Sequence, residues 1–251
     1  MAKVGDITEL LKELAPVNLA ESWDNVGLLI GNAEREVHKI LVMLDFDKQG
    51  LEEALEVGAD MIITHHPAIM SKLSSITDSL YLDLIENKIA LCSMHTNLDS
   101  AEQGVNQVLA ETLGLYDIEP VDFDGLFGRI GYVDECTLGE FIQTVKLALG
   151  IDHVRYVGSK KNYVNKVAIV GGSGADFIPN VKIAQCDVFV TADIKYHQAQ
   201  LADKLGLNVI DAGHFETENP VIYKLARYLR GNTEDVEIIT SLRTKSYIKY
   251  E

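Results

Sequence analysis

Two adjacent histidines, His65 and His66, close an apolar run, Met61-Ile62-Ile63-Thr64, and lead straight into Pro67. Neighbouring side chains of an extended strand point to opposite faces. Both imidazoles reach one site only where the strand ends and the backbone turns, which is where Pro67 stands. Two more apolar runs end in the same way. Ile89-Ala90-Leu91-Cys92-Ser93-Met94 gives way to His95-Thr96-Asn97-Leu98-Asp99. Leu207-Asn208-Val209-Ile210 gives way to Asp211-Ala212-Gly213-His214-Phe215-Glu216-Thr217-Glu218. Three strand ends thus deliver imidazoles and carboxylates, the ligand set of a divalent transition metal.

Each group also has a plainer reading. His214 and Glu218 are four apart, so a helical turn between them puts both on one face, able to hold one ion. Equally, Thr217 and Glu218 ahead of Pro220 suit the start of a helix, where acidic groups meet the positive dipole end. Asp99 suits a ligand or the cap of a helix starting at Ser100 or Ala101. His95 reads better as a residue hydrogen-bonding a ligand or the substrate than as a primary ligand. Taken jointly, these residues sit at strand carboxyl ends, where open parallel sheets place their sites. His65, His66, Asp99, His214 and Glu218 exceed the needs of one catalytic ion. They suit two, with a bridging carboxylate and water in the open positions.

Two further motifs follow strands. In Thr191-Ala192-Asp193-Ile194-Lys195-Tyr196-His197, Asp193 and His197 are four apart. Asp193 suits an N-cap and His197 an ordinary helix position; alternatively both lie on one helical face at the rim of the site, serving the substrate or proton transfer. Gly171-Gly172-Ser173-Gly174 lacks the third glycine of a dinucleotide fingerprint and reads as a tight turn.

The elements that must position these residues alternate. Helix is expected at Ile7–Leu14, capped by Asp6, and over 49–57, 78–87, 101–113, 137–149, 177–184, 195–205 and 220–229. A loop within 20–31 is expected to enter a short apolar strand, and further strands are expected at 39–45, 61–64, 89–94, 167–170, 188–190, 207–210 and 236–240. Thr137 with Glu140 makes a capping box, and Gly150 stops that helix. This β-α-β-α order implies an α/β fold with mostly parallel sheets. An acidic, glycine-bearing stretch from Asp122 marks a boundary between two α/β domains. The first is 1–122 plus 206–251, carrying most of the candidate ligands, and the second is 123–205.

Bulk properties narrow the partners. The 251 residues suffice for two cores, and 47% apolar with 24% charged content is ordinary for a globular chain. A net charge of −16 opposes non-specific binding to nucleic acid, which needs a basic surface. The apolar runs are strand-sized, so no membrane span is expected. The N-terminus lacks a secretory apolar core, and Cys92, Cys136 and Cys186 are widely spaced in apolar sequence. Free buried thiols in a reducing cytoplasm are expected.

These residues resemble the NIF-three-like family. His65-His66-Pro67, His95-Thr96-Asn97-Leu98-Asp99, Thr191-Ala192-Asp193 with His197, and Gly213-His214 with Thr217-Glu218 match its motifs in order, as does Trp23-Asp24-Asn25-Val26-Gly27-Leu28. The resemblance spans nearly the whole chain, without the large extra domain that some members carry between the halves. It departs at Ala192, where members often have glycine. It implies two α/β domains, a cavity with a dinuclear metal site and six subunits in a ring. It also places the metal ligands at His65, His66, Asp99, His214 and Glu218.

Members are commonly labelled GTP cyclohydrolase I type 2 homologues. That label implies hydrolytic opening of the imidazole ring of GTP, with the metals activating water and His95 or His197 as general acid or base. No base-reading motif for guanine is present. Zinc, manganese, iron and cobalt all suit the ligand set. A two-metal phosphoesterase and a non-catalytic metal-binding adaptor for partner proteins are the alternatives.

Overall fold

The computed structural model describes residues 1–71, 73–122 and 127–249. The chain forms two compact units, Met1–Ala101 with Val221–Lys245, and Glu102–Pro220 with Ser246–Glu251. The composition change expected as a boundary falls largely on 123–126, outside the described residues. The units divide elsewhere, at 101/102 and 220/221, for reasons that lie in strand pairing.

In chain order the first unit contains α1 (Val4–Leu14), β1 (Gly27–Ile30), β2 (Lys39–Met43), α2 (Lys48–Val57), β3 (Met61–Thr64), α3 (Ser79–Glu86), β4 (Ala90–Ser93) and α4 (Thr96–Ser100). The second contains α5 (Val105–Thr112), β5 (Tyr116–Asp122), β6 (Phe127–Thr137), α6 (Leu138–Leu149), β7 (Arg155–Val157), β8 (Tyr163–Ile169), α7 (Ile178–Ile183), β9 (Val188–Thr191), α8 (Tyr196–Leu205), β10 (Asn208–Asp211) and α9 (His214–Glu218). From α10 (Pro220–Asn232) and β11 (Glu237–Thr240) the chain completes the first unit.

The first sheet runs β1-β4-β3-β2-β11, with every pair parallel except the edge pair β1–β4. Its central strands β3 and β4 are buried along their whole length. A parallel strand covered on both faces must be apolar throughout, which is why Met61–Ile63 and Ala90–Cys92 read as unbroken apolar runs. The second sheet runs β5-β6-β8-β9-β10-β7 and is mixed: β8, β9 and β10 are parallel, while β5, β6 and β7 pair antiparallel. β5 pairs with β6, and β10 with β9, so residues before 122 and after 206 belong to the second unit rather than the first.

Local signals fix several ends. In α6 the Thr137 hydroxyl accepts the Glu140 N–H while the Glu140 carboxylate accepts the Thr137 N–H, and Gly150 closes the helix in the left-handed region. Asp6 lies inside α1 rather than before it, its carboxylate accepting the Lys3 N–H at 2.8 Å. The helix expected over 101–113 begins only at Val105, because Ala101 is extended and Gly104 caps the start; the short α4 lies ahead of it. Asp99 therefore sits within α4, not ahead of a helix starting at Ser100 or Ala101.

Candidate metal centre

In the first unit the carboxyl ends of three parallel strands meet. β2 leads to Asp45, β3 to His65 and His66, and β4 to His95. The sheet ladder continues into them: His65 N–H donates to the Met43 carbonyl, His66 N–H to that of Leu44, and Met94 N–H to that of Thr64. Adjacent histidines on opposite faces of a strand could not share a site. Past the end of β3 they do, with ring centroids 4.9 Å apart. The His95 ring lies 5.3 Å from His65 and 5.5 Å from His66. One nitrogen from each of the three rings falls within 4.8 Å of the others, so the trio can hold one ion. Asp99 Oδ1 lies 3.6 Å from His65 Nε2. His65 is buried, whereas His66, His95 and Asp99 are partly exposed.

Each ring is held by its other nitrogen. His65 Nδ1 bonds the Met94 carbonyl at 2.8 Å, His66 Nδ1 bonds Asp45 Oδ1 at 2.7 Å, and His95 Nδ1 bonds Asp24 Oδ1 at 3.0 Å. A carbonyl or an ionised carboxylate only accepts, so Nδ1 carries the proton and the Nε2 lone pair faces away from it. This anchoring is what metal-binding histidines have in common. The second unit repeats it, with His214 Nδ1 bonding Asp193 Oδ2 at 2.7 Å.

His214 and Glu218 begin and end α9, whose single helical turn brings His214 Nε2 to 3.1 Å from Glu218 Oε2. A second element makes room for that carboxylate. Gly172 has φ +62°, and a Cβ there would lie 2.1 Å from Glu218 Oε1 and 3.2 Å from His214 Nε2. Its N–H donates to Thr217 Oγ1 at 3.0 Å, tying the glycine turn to α9. The Gly171–Gly174 segment is thus a tight turn that clears space for Glu218.

Asp24 and His214 are held away from their ordinary values. Burial pushes the Asp24 carboxyl up, but hydrogen bonds from the His95 ring and from the Thr96 hydroxyl and N–H outweigh it and hold Asp24 well below the carboxylate range. His214 is raised to about 9, first by its bond to Glu218, against the lowering effect of burial, with Asp193 adding to the rise.

Asp193 and His197 do not share a helical face. Asp193 has φ +55° in the loop before α8, which begins only at Tyr196. His197 is exposed and bonds Gln200 at 2.9 Å, while Asp193 turns instead to His214. Sequence reasoning did not assign the anchoring roles of Asp24 and Asp45. Asp45 ends a buried strand just as His65 does, a signal that was there to use. Asp24 lies in a loop before an edge strand and had none beyond its motif. Cys92, Cys136 and Cys186 are free thiols; burial pushes Cys92 up to about 12 and Cys186 to about 11.

The donors of each unit fit a divalent transition ion: imidazoles oriented through Nδ1, beside Asp99 in the first unit and beside Glu218, with a glycine that leaves it space, in the second. Among the described residues no helix is long and apolar enough to cross a membrane. A Clostridium perfringens protein named GTP cyclohydrolase 1 type 2 homolog is 39% identical over 260 residues, 99% of each chain. A Staphylococcus aureus hypothetical protein of known structure superposes with a TM-score of 0.90 at 30% identity, covering 99% of both chains. A Bacillus cereus protein related to NIF3 superposes with a TM-score of 0.90 at 25% identity, over 100% of this chain and 99% of its own. Residues 2–246 match Duf34/NIF3 (NGG1p interacting factor 3). With strand-end histidines, a two-unit α/β fold and a match along nearly its whole length, this chain belongs to the Duf34/NIF3 family.

Proposed function

We propose that the protein is a divalent-metal-dependent hydrolase that takes two ions per subunit and opens the imidazole ring of a purine nucleotide such as GTP. His65, His66 and Asp99 in the first unit and His214 and Glu218 in the second are the ligands. The observation that carries this reading is the common anchoring of His65, His66 and His214 through Nδ1, which reserves Nε2 for a cation. The donor set admits zinc, manganese, iron or cobalt. The name of the Clostridium perfringens relative, GTP cyclohydrolase 1 type 2 homolog, supports the substrate class.

A bound divalent ion would supply Lewis acidity and lower the pKa of water toward neutrality. His95 would move the proton. Its Nδ1–H is committed to Asp24, so Nε2 is the atom that accepts and returns it. Asp24 holds the ring in that tautomer, and His197, exposed on α8, is the second candidate. A six-subunit ring in the cytoplasm is the expected assembly and location.

The test is metal content by elemental analysis on protein purified without a histidine tag, for wild type, His65→Ala and Glu218→Ala. About two ions per chain, falling in both variants, supports the site. The loaded protein is then given GTP. Formate release marks ring opening, and phosphate release would move the reading to a phosphoesterase. Wild type that folds yet refuses zinc and manganese would sink the hydrolase and favour an adaptor.

A further inference from the structure

Asp211 is a charged residue left 4% exposed at the end of β10, and none of the chemistry above uses it. Its carboxylate joins three pieces of chain. Oδ2 accepts the Ile194 N–H at 3.1 Å and a bond from the Arg155 guanidinium on β7. Oδ1 accepts the Gly213 N–H at 3.2 Å. Ile194 follows Asp193, the residue that orients His214. Gly213 is the N-cap of α9, the helix that carries His214 and Glu218.

The backbone takes positive φ at or beside both attachment points. Asp193 has φ +55° and Gly213 φ +88°. Left-handed backbone at a residue with a side chain persists only where its surroundings determine it. Here Asp211 supplies the acceptor for the Ile194 N–H, next to Asp193, and for the N–H of Gly213 itself. Arg155 is two-thirds exposed yet aims its guanidinium inward, offsetting the buried charge.

We propose that Asp211 is a positioning residue for the metal centre: it locks the Asp193 loop to the start of α9 and so sets the angle at which His214 Nε2 and Glu218 meet an ion. This rests on the metal reading above. An asparagine at 211 keeps the shape but turns an NH2 group toward one of the two N–H donors. The loop and the helix can then no longer both be held.

The experiment is cobalt(II) titration of the metal-free protein, followed by the visible absorption spectrum of the ion, on wild type and Asp211→Asn. The expected result is a 10–100-fold loss of affinity, the range typical of residues that orient ligands, with a changed cobalt spectrum even at saturation. An Asp211→Asn protein that melts lower but reproduces the wild-type affinity and saturated spectrum would make Asp211 merely structural and overturn the proposal. If Asp211→Asn does not fold, Arg155→Ala is the second probe, since it frees the same carboxylate from a largely exposed partner. A several-fold weaker affinity with a partial spectral change supports the proposal, and wild-type behaviour overturns it. Wild type that takes up no cobalt sinks the metal reading itself, and the positioning role falls with it.

Discussion

Asp24 and His95 are 71 residues apart in sequence and meet at 3.0 Å, carboxylate Oδ1 to ring Nδ1. The same carboxylate accepts the Thr96 N–H and hydroxyl through Oδ2. One side chain thus fixes both the tautomer of His95 and the first residue of α4, the helix that carries Asp99.

That arrangement predicts a pH signature. The folded pKa of Asp24 is depressed, so its contribution to stability is complete above its unfolded value, about 4, and is lost as pH falls toward the folded value. Asp24→Asn should cost about 1–3 kcal/mol at pH 7, the cost of breaking a buried hydrogen-bonded group. The gap between wild type and variant should shrink progressively below about pH 4. Urea unfolding from pH 7 to pH 2.5 measures it, and a gap independent of pH would refute the assignment.

His95 is expected to matter to rate rather than to fold. His95→Gln keeps a polar side chain of similar reach but cannot exchange a proton near neutral pH. Metal content should stay close to wild type while turnover, once a substrate is in hand, falls by about 10²–10⁴, the usual share of general acid–base catalysis. Loss of metal in this variant would instead make His95 a ligand, a position its distances to His65 and His66 also allow.

His214 predicts proton release. In the metal-free protein it stays protonated to about 9, so its contribution to stability is complete below the unfolded pKa and disappears as pH rises through about 9. An ion can bind only the deprotonated ring. Loading at pH 7 should therefore expel about one proton from this residue, and affinity should rise about tenfold per pH unit up to 9. Calorimetric titration in buffers of different ionisation enthalpy reads the proton count directly. No dependence on the buffer would show that His214 is not a ligand.

The strand-end logic of the site was legible because buried parallel strands are apolar throughout, so a polar residue at their ends stands out. His65, His66 and His95 showed themselves in this way, and the spacing of His214 and Glu218 foretold the single turn of α9. The anchors were not legible. Asp24 reaches His95, and Gly172 clears Glu218, only after distant segments are packed. Asp193 and His197 misled for the opposite reason. Their spacing of four suggests a helix, but Gln198, whose side chain accepts the Lys195 N–H, starts α8 only at Tyr196, three residues after Asp193. The unit boundaries were hidden as well, since β-pairing rather than composition assigns β5 and β10.

Gly172 supplies a test that leaves every candidate ligand intact. Alanine there would put a Cβ 2.1 Å from Glu218 Oε1 on a backbone with φ +62°. Glu218 must move, and the left-handed backbone adds strain of about 1–3 kcal/mol. Gly172→Ala should fold, melt several degrees lower and bind metal more weakly, although no donor has been removed. Unchanged metal content would mean that Glu218 is not needed where the structure places it.

Trp23 reports on the first unit alone. It is the only tryptophan in the chain, and its ring stands edge-on to His95 with centroids 5.9 Å apart. Cobalt(II) or copper(II) has an open d shell and quenches a nearby excited indole, whereas zinc does not. If His65, His66 and Asp99 hold an ion, Trp23 lies within a few residues of it, and cobalt should quench most of the fluorescence of the protein with a simple saturation curve. Zinc added first should block the effect. In His65→Ala the quenching should be lost or shifted to much higher cobalt concentration, while in Glu218→Ala, altered in the other unit, it should persist at least in part. Equal quenching in wild type and His65→Ala would place the ion away from this histidine group and would leave α9 as the part of the ligand set to pursue.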